Sequence, residues 1–371
     1  MKLVGVKAAA VAVTTTILVC GTVVSCGSDD NRGPSNISGA PSGAGSCGGK
    51  NDVTAEGSTA QQNAIALFNQ VWGRLCPGKT VSYNATGSGA GREQFIAGHV
   101  DFAGSDSPLV ATQIGPAAER CDGNPAWDLP LVFGSIALVY NLPGIPRLVV
   151  DADALAQIFS GGIRMWDDPV LVGLNPGVPL PKTKITPIYR KDSSGTTDNF
   201  QKYLSTAAPQ SWTRGVGTEF QGGVGEGVQR SGGVTQAVLA TTGAIGYVEK
   251  GLADQARVPF AQIDTGAGVV ALTDETARNA VNAVTFAASG NDLVLDLSSI
   301  YAVAEPKSYP LVLATYEIVC SKGYQPDTAA GVKAFLTTAV NEGQSGLTSA
   351  GYVPLPDKVK ERLVAAINAL Q

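Results

Sequence analysis

Apolar positions recur along this chain at two periods, about every second residue and about every 3.6 residues, and the periods take turns. From 53 to 105 the pattern reads strand, helix, strand, helix, strand: Val53 to Ala55, Gln61 to Leu75, Thr80 to Ala85, Gly91 to Gly98 and Val100 to Gly104. In the first helix Ile65, Phe68, Val71, Trp72 and Leu75 predict a face that packs on a sheet. Strands alternating with helices predict an α/β fold with largely parallel sheets, whose ligands bind beyond the carboxyl ends of the strands.

The apolar stretch Leu129 to Leu142 carries the chain toward a second region. There Leu155, Ile158 and Phe159 predict a helix, Pro176 to Pro181 a loop, and Ile185 to Tyr189 a strand ending at Arg190. Gly222 to Gly233 reads as a mobile glycine-rich loop, followed by a helical segment from Val234 and a strand over Ala244 to Val248. Pro310 to Val319 is a further apolar strand, and helices over Thr328 to Asn341 and Asp357 to Leu370 close the chain.

The first residues follow another logic. Lys2 and Lys7 precede an apolar run from Ala8 to Val19, too short for a spanning helix, and Val23-Val24-Ser25-Cys26 follows. This is the pattern of an export signal over 1–25 with a lipobox, in which Cys26 receives lipid. Cys20 is the poorer acceptor because Val19 before it is bulkier than Ser25. Residues 26–52 are Gly-, Ser-, Pro-, Asn- and Asp-rich and read as a tether reaching about 25 to 30 Å. About 320 residues remain, more than one core usually accommodates, so two lobes are expected.

Net charge is −5 with no basic block, which argues against nucleic acid as a partner. Cys47, Cys76, Cys121 and Cys320 remain after processing, and an even number outside the cytoplasm points to two disulfides. Three pairings are possible. Cys47 precedes the first strand and Cys76 ends the helix returning from it, which favours Cys47 with Cys76 and Cys121 with Cys320.

Candidate chemistry lies where strands hand over to helices. Gly57-Ser58-Thr59, Thr86-Gly87-Ser88-Gly89-Ala90-Gly91 and Asp192-Ser193-Ser194-Gly195-Thr196 would each aim free N–H groups and a hydroxyl at one point, with a helix dipole behind them. Ser and Thr are also ordinary helix caps. Their company decides between the two: Arg190 offers a fork to an oxyanion, whereas Asp106 repels an anion unless it carries a proton. Gly73 to Thr80 matches a phosphate-binding loop letter for letter, but a helix precedes it and a strand follows, the reverse of what nucleotide binding needs. The single histidine, His99, has no partner set for a triad or a zinc site. Neither a metal nor a cofactor is expected.

On these residues the chain resembles the phosphate-binding proteins of Pst-type ABC transporters, from Gly57 to the closing helices. Asp101 to Asp106 and Arg190 to Thr196 carry the resemblance together with Thr86 to Gly91, supported by Trp166-Asp167-Asp168-Pro169, Leu174 to Gly177 and Gly243 to Tyr247. It implies a two-lobed clamp of the periplasmic-binding-protein type with two hinge strands, near Phe133 to Val139 and Pro310 to Ala314. Lobe 1 would be 53–135 with 308–371, and lobe 2 would be 136–307.

The implied phosphate ligands are Thr59, the backbone of Ala60, Ser88, Asp106, Arg190, Ser194, Gly195 and Thr196, with Asp192 steadying Arg190. Ala60 departs from the large apolar residue that relatives often carry. The implied protein is a lipid-anchored monomer on the outer face of the cell membrane that delivers inorganic phosphate to permease subunits and is not an enzyme. The rivals are a clamp for sulfate, molybdate or a phosphorylated organic molecule, a sensing or adhesive surface lipoprotein, and a phosphatase using Ser88 or Ser194.

Overall fold

A computed structural model describes residues 47–302 and 305–371. Cys26, with the export signal and most of the tether, lies outside them. β1 (Asp52–Gly57), α1 (Gln62–Leu75), β2 (Thr80–Ala85), α2 (Ser88–Ile96) and β3 (Phe102–Ser105) alternate as the periodicity predicts. α3 (Ala111–Arg120) leads into the long β4 (Ala126–Tyr140). Next come β5 (Val149–Asp151), α4 (Ala152–Ser160), α5 (Pro169–Leu174), β6 (Thr186–Arg190) and α6 (Gly195–Ala207). They are followed by β7 (Glu226–Val228), α7 (Arg230–Ala240), β8 (Ala244–Glu249) and α8 (Lys250–Ala256). Shorter pieces follow: β9 (Gln262–Asp264), β10 (Val269–Val270), α9 (Asp274–Asn282), β11 (Thr285–Phe286), β12 (Leu295–Asp296) and α10 (Ser298–Tyr301). β13 (Val312–Cys320), α11 (Pro326–Asn341), β14 (Tyr352–Val353) and α12 (Asp357–Ala369) complete the chain.

The main sheet runs β2-β1-β3-β13-β4-β8-β6-β7, with β14 also on β4. Its two wings are parallel, β2-β1-β3 and β8-β6-β7, as strand–helix alternation requires. The centre is antiparallel, because β13 pairs with both β3 and β4, and β4 with β8. β13 is buried along its whole length, so it carries an almost continuous apolar run broken by Thr315 and Glu317. β4 changes partner along its length: Ala126 to Ser135 face β13, and Ile136 to Tyr140 face β8. The register against β13 slips between Thr315 and Tyr316, leaving Leu131 without an opposite number. Pro130, which has no N–H to give a ladder, sits at this bulge.

Helix α1 buries Ala64, Ile65, Phe68 and Trp72, and Phe335 of α11 meets both Trp72 and Phe102 ring to ring. The cysteines pair as Cys47–Cys76 and Cys121–Cys320. The segment 222–233, expected as a mobile loop, is partly regular: β7 extends the sheet on β6, and α7 starts at Arg230 rather than Val234. Tertiary pairing overrides glycine's weak intrinsic preference there. His99 is exposed in the α2–β3 turn, and among the described residues its ring bonds only Gln94. The loop-like match at 73–80 spans the end of α1, a turn and the first residue of β2, so no helix start is available to it.

Candidate functional site

The three strand-to-helix junctions meet at one place. β1 delivers Ser58, Thr59 and Ala60; β2 delivers Ser88, the first residue of α2; β6 delivers Arg190 and, a turn later, Ser194 to Thr196 at the start of α6. Backbone geometry makes the meeting close. Gly87 has φ +120, a conformation side chains disfavour, and a Cβ there would lie 3.0 Å from an Asp192 carboxylate oxygen. A Cβ on Gly195 would stand 2.5 Å from the Asp106 Cβ and 2.7 Å from Ser88 Oγ. Gly89 N–H donates to the Ser193 carbonyl at 3.1 Å, tying the second junction to the third.

Asp106, just past β3, is 3 % exposed and ringed by hydroxyls. Ser58 Oγ donates to its Oδ1 at 2.5 Å and Thr315 Oγ1 at 2.8 Å; Ser88 and Thr196 stand 3.4 Å from Oδ2. Its own N–H donates to Ser88 Oγ at 3.1 Å, and Asn199 Nδ2 donates to its carbonyl at 2.7 Å. Burial pushes the carboxyl up to about 6, against the hydroxyl bonds of Ser58 and Thr315 that favour its charge; Glu249 adds to the rise and Arg190 opposes it.

Arg190 is 2 % exposed. Burial works against its charge, yet Asp192 raises the balance by binding Nε at 2.8 Å and Nη2 in a two-pronged pair. Burial likewise works against the Asp192 charge, and the arginine outweighs it, holding the carboxyl below its ordinary value. Arg230 N–H also donates to Asp192, at 3.0 Å. With Nε and Nη2 held, Nη1 is aimed at Thr59 Oγ1 and Ser231 Oγ, both at 3.1 Å. Ser194 caps α6 through Thr197 N–H at 3.3 Å, so the ordinary capping role is realised in the same residue. Ala60 is buried, and its N–H donates to Ser58 Oγ at 3.0 Å. Thus Thr59, Ala60, Ser88, Asp106, Arg190, Asp192, Ser194, Gly195 and Thr196 are gathered in one neighbourhood.

Four more polar groups belong to it: Ser58, Ser231, Glu249 and Thr315. Thr196 Oγ1 and Ser231 Oγ both donate to Glu249 Oε1, at 2.9 and 2.8 Å, and Ser231 also meets Thr59 Oγ1 at 2.7 Å. A cavity of about 500 Å³ opens beside the Thr59 and Ser231 hydroxyls, bordered also by Ala60, Arg230 and Glu249. Thr315 announced itself only as a hydroxyl inside an apolar strand, and Glu249 only as an acid two residues past the run Gly243 to Tyr247.

A curled mixed sheet, with junction loops from both wings closing on a buried polar centre, defines a solute-binding clamp. Residues 38–342 match the PBP superfamily domain, and the chain belongs to the PstS phosphate-binding proteins, an extracytoplasmic branch of that superfamily. Phosphate-binding protein PstS 3 of Mycobacterium leprae (strain TN) is 46 % identical over 358 residues, 95 % of this chain and 97 % of its own length. Phosphate-binding protein PstS 2 of Mycobacterium tuberculosis (strain H37Rv) is 46 % identical over 360 residues, with the same two coverages. Among solved structures, the high-affinity periplasmic phosphate-binding protein PfluDING with bound phosphate aligns with a TM-score of 0.69 at 26 % identity, covering 85 % of this chain and 93 % of that one. Among the described residues no helix is long and apolar enough to cross a membrane.

Proposed function

We propose that this protein captures inorganic phosphate between two lobes and presents it to the permease of an ABC transporter, acting by binding alone. One observation carries the reading: Arg190 and three helix-start junctions converge on a centre that also holds the buried acceptor Asp106. Donors alone would suit any tetrahedral oxyanion. A carboxylate among them suits an anion that keeps a proton, since it accepts from a phosphate O–H and only repels sulfate. The names of the relatives and the phosphate in the aligned structure support the same ligand.

In this reading Thr59, the Ala60 N–H, Ser88, Arg190, Ser194, Gly195 and Thr196 donate to phosphate, Asp106 accepts, and Asp192 keeps Arg190 aimed. Residues 53–135 with 308–371 form one lobe and 136–307 the other. β4 and β13 act as the hinge strands, a role supported by the partner change after Ser135 and by the Ile136 N–H bond to Leu311 at 2.9 Å. Lipid on Cys26 and the 26–52 tether hold the monomeric clamp to the outer face of the cell membrane, a placement supported by the residue pattern alone.

Thermal unfolding with phosphate, arsenate, sulfate and molybdate tests the ligand. Phosphate at a hundred times its dissociation constant is expected to stabilise by about 2.7 kcal/mol. Arsenate should match it and sulfate should not. An equal shift with sulfate, or none with phosphate, overturns the reading.

A further inference from the structure

Glu249 ends β8, is 4 % exposed, and among the described residues has no ion-pair partner. Its bonds come from two hydroxyls, Thr196 and Ser231. A carboxylate only accepts, and each hydroxyl has one proton. The Thr196 proton therefore goes to Glu249 at 2.9 Å in preference to Asp106 at 3.4 Å, and the Ser231 proton goes to Glu249 as well. The oxygen of Ser231 is then left to accept from Arg190 Nη1 and from Thr59, whose own proton is thereby committed. The polarity of the whole chain, Thr59 to Ser231 to Glu249 and Thr196 to Glu249, is set by one carboxylate.

Two consequences follow for a guest anion. Thr59 and Thr196 can donate to it only by turning their protons away from that chain, so each such bond costs the chain one, and a guest that needs fewer donors because it brings its own protons loses least. The charges act in the same sense. Facing this region are two cations, Arg190 and Arg230 at the cavity border, and three carboxylates, Asp106, Asp192 and Glu249, with Tyr247 and Tyr352 alongside; Arg92 also faces Asp106 but is shared with Asp128 and Asp198, and Glu317 of β13 also lies near Asp106. Lys250, next along the chain, is held by Asp254 and Asp274. Each further negative charge on the guest meets more repulsion in a buried setting.

We infer that Glu249 is a second specificity-determining residue, acting through the Thr196 and Ser231 hydroxyls to bias the site toward the more protonated, singly charged form of phosphate. This rests on the phosphate reading above. It differs from the role of Asp106, which needs only one proton on the guest and is served by either form.

The test is calorimetric titration with inorganic phosphate and with sulfate from about pH 5.5 to about pH 8.5, on the wild type and Glu249→Gln. Wild-type affinity for total phosphate should fall through the second ionisation of phosphate, by up to about tenfold per pH unit. Glu249→Gln should flatten that fall to under about threefold per unit and raise sulfate affinity relative to phosphate by about tenfold. Parallel profiles for the two proteins overturn the inference. So does a wild-type affinity constant across the ionisation, a readout that does not depend on the variant folding and leaves phosphate capture standing. Wild-type protein giving no heat with phosphate at any pH would instead bring down the capture reading itself, and this inference with it.

Discussion

Glu317 lies in the middle of β13, fully buried, two residues from the Thr315 that holds Asp106. Gln61 Nε2 donates to its Oε2 at 3.3 Å, while Oε1 of Glu317 and Oε1 of Gln61 are both buried without a bond among the described residues. Two orphaned acceptors on already bonded neighbours call for a proton between them. Burial, with the nearby Asp106 charge adding to it, pushes Glu317 from an ordinary 4.5 up to about 8. The folded carboxyl thus keeps a proton that the unfolded chain gives up.

Its contribution to stability is full below pH 4.5 and is lost as pH rises through about 8. At 1.36 kcal/mol per unit, the loss accumulates to roughly 3 kcal/mol at neutral pH and on the order of 4 to 5 kcal/mol above pH 8. Glu317→Gln replaces the orphaned Oε1 by an N–H that can serve Gln61 Oε1, keeps a carbonyl for Gln61 Nε2, and has nothing to ionise. The substitution should leave stability nearly unchanged near pH 4 and raise it by about 3 kcal/mol at pH 7, a gain from altering a buried acid. Urea unfolding at unit intervals between those pH values reads the difference directly. Asp128, pushed up to about 8 by burial and by Asp292, gives both proteins the same extra slope, which cancels in the comparison. A constant offset between wild type and variant across the range would refute the neutral-acid argument.

Asp106→Asn should keep the Ser58 and Thr315 bonds on its oxygen and turn an N–H toward the guest, so the phosphate-to-sulfate affinity ratio should drop by at least about a hundredfold in competition titrations; an unchanged ratio removes its selectivity role. Gly195→Ala puts a methyl 2.5 Å from the Asp106 Cβ, and phosphate affinity should fall at least about tenfold by calorimetry. Full affinity would mean that the third junction need not come so close. Replacing Cys121 and Cys320 together by Ser opens a link between residues 199 apart and should cost about 2 to 5 kcal/mol in urea unfolding, with phosphate affinity at native conditions retained.

Local pattern revealed the parts of this fold that are built locally. The five elements from β1 to β3, the strand that ends at Arg190 and the two closing helices follow from periodicity and from junction chemistry that the chain writes out in order. The antiparallel centre was not readable in the same way, because β13 inserts between β3 and β4 from far along the chain, and no short-range signal states which strands will pair. The site divides similarly. Asp106, Arg190 and the junction hydroxyls sit in compact motifs, whereas Thr315 reaches Asp106 across 209 residues and Ser231 reaches Thr59 across 172. The segment 222–233 misled for a related reason. Its glycines suit a loop, but pairing of β7 on β6 fixes it and brings Ser231 to the site.

The unmatched Leu131 gives β4 a bend as well as a length. Pro130 and Val132 face neighbouring residues of β13, Tyr316 and Thr315, so they already point to opposite faces as adjacent residues do, and excising Leu131 would keep every pair and every face while straightening the strand. Everything paired to the far part of the strand, including the β8 edge that ends in Glu249, would then swing with the straightened strand and lose the angle that the bulge gives it. Loss of Leu131 should therefore spare the fold and disturb the site, by changing the aim of the β8 edge against the junctions of the other wing.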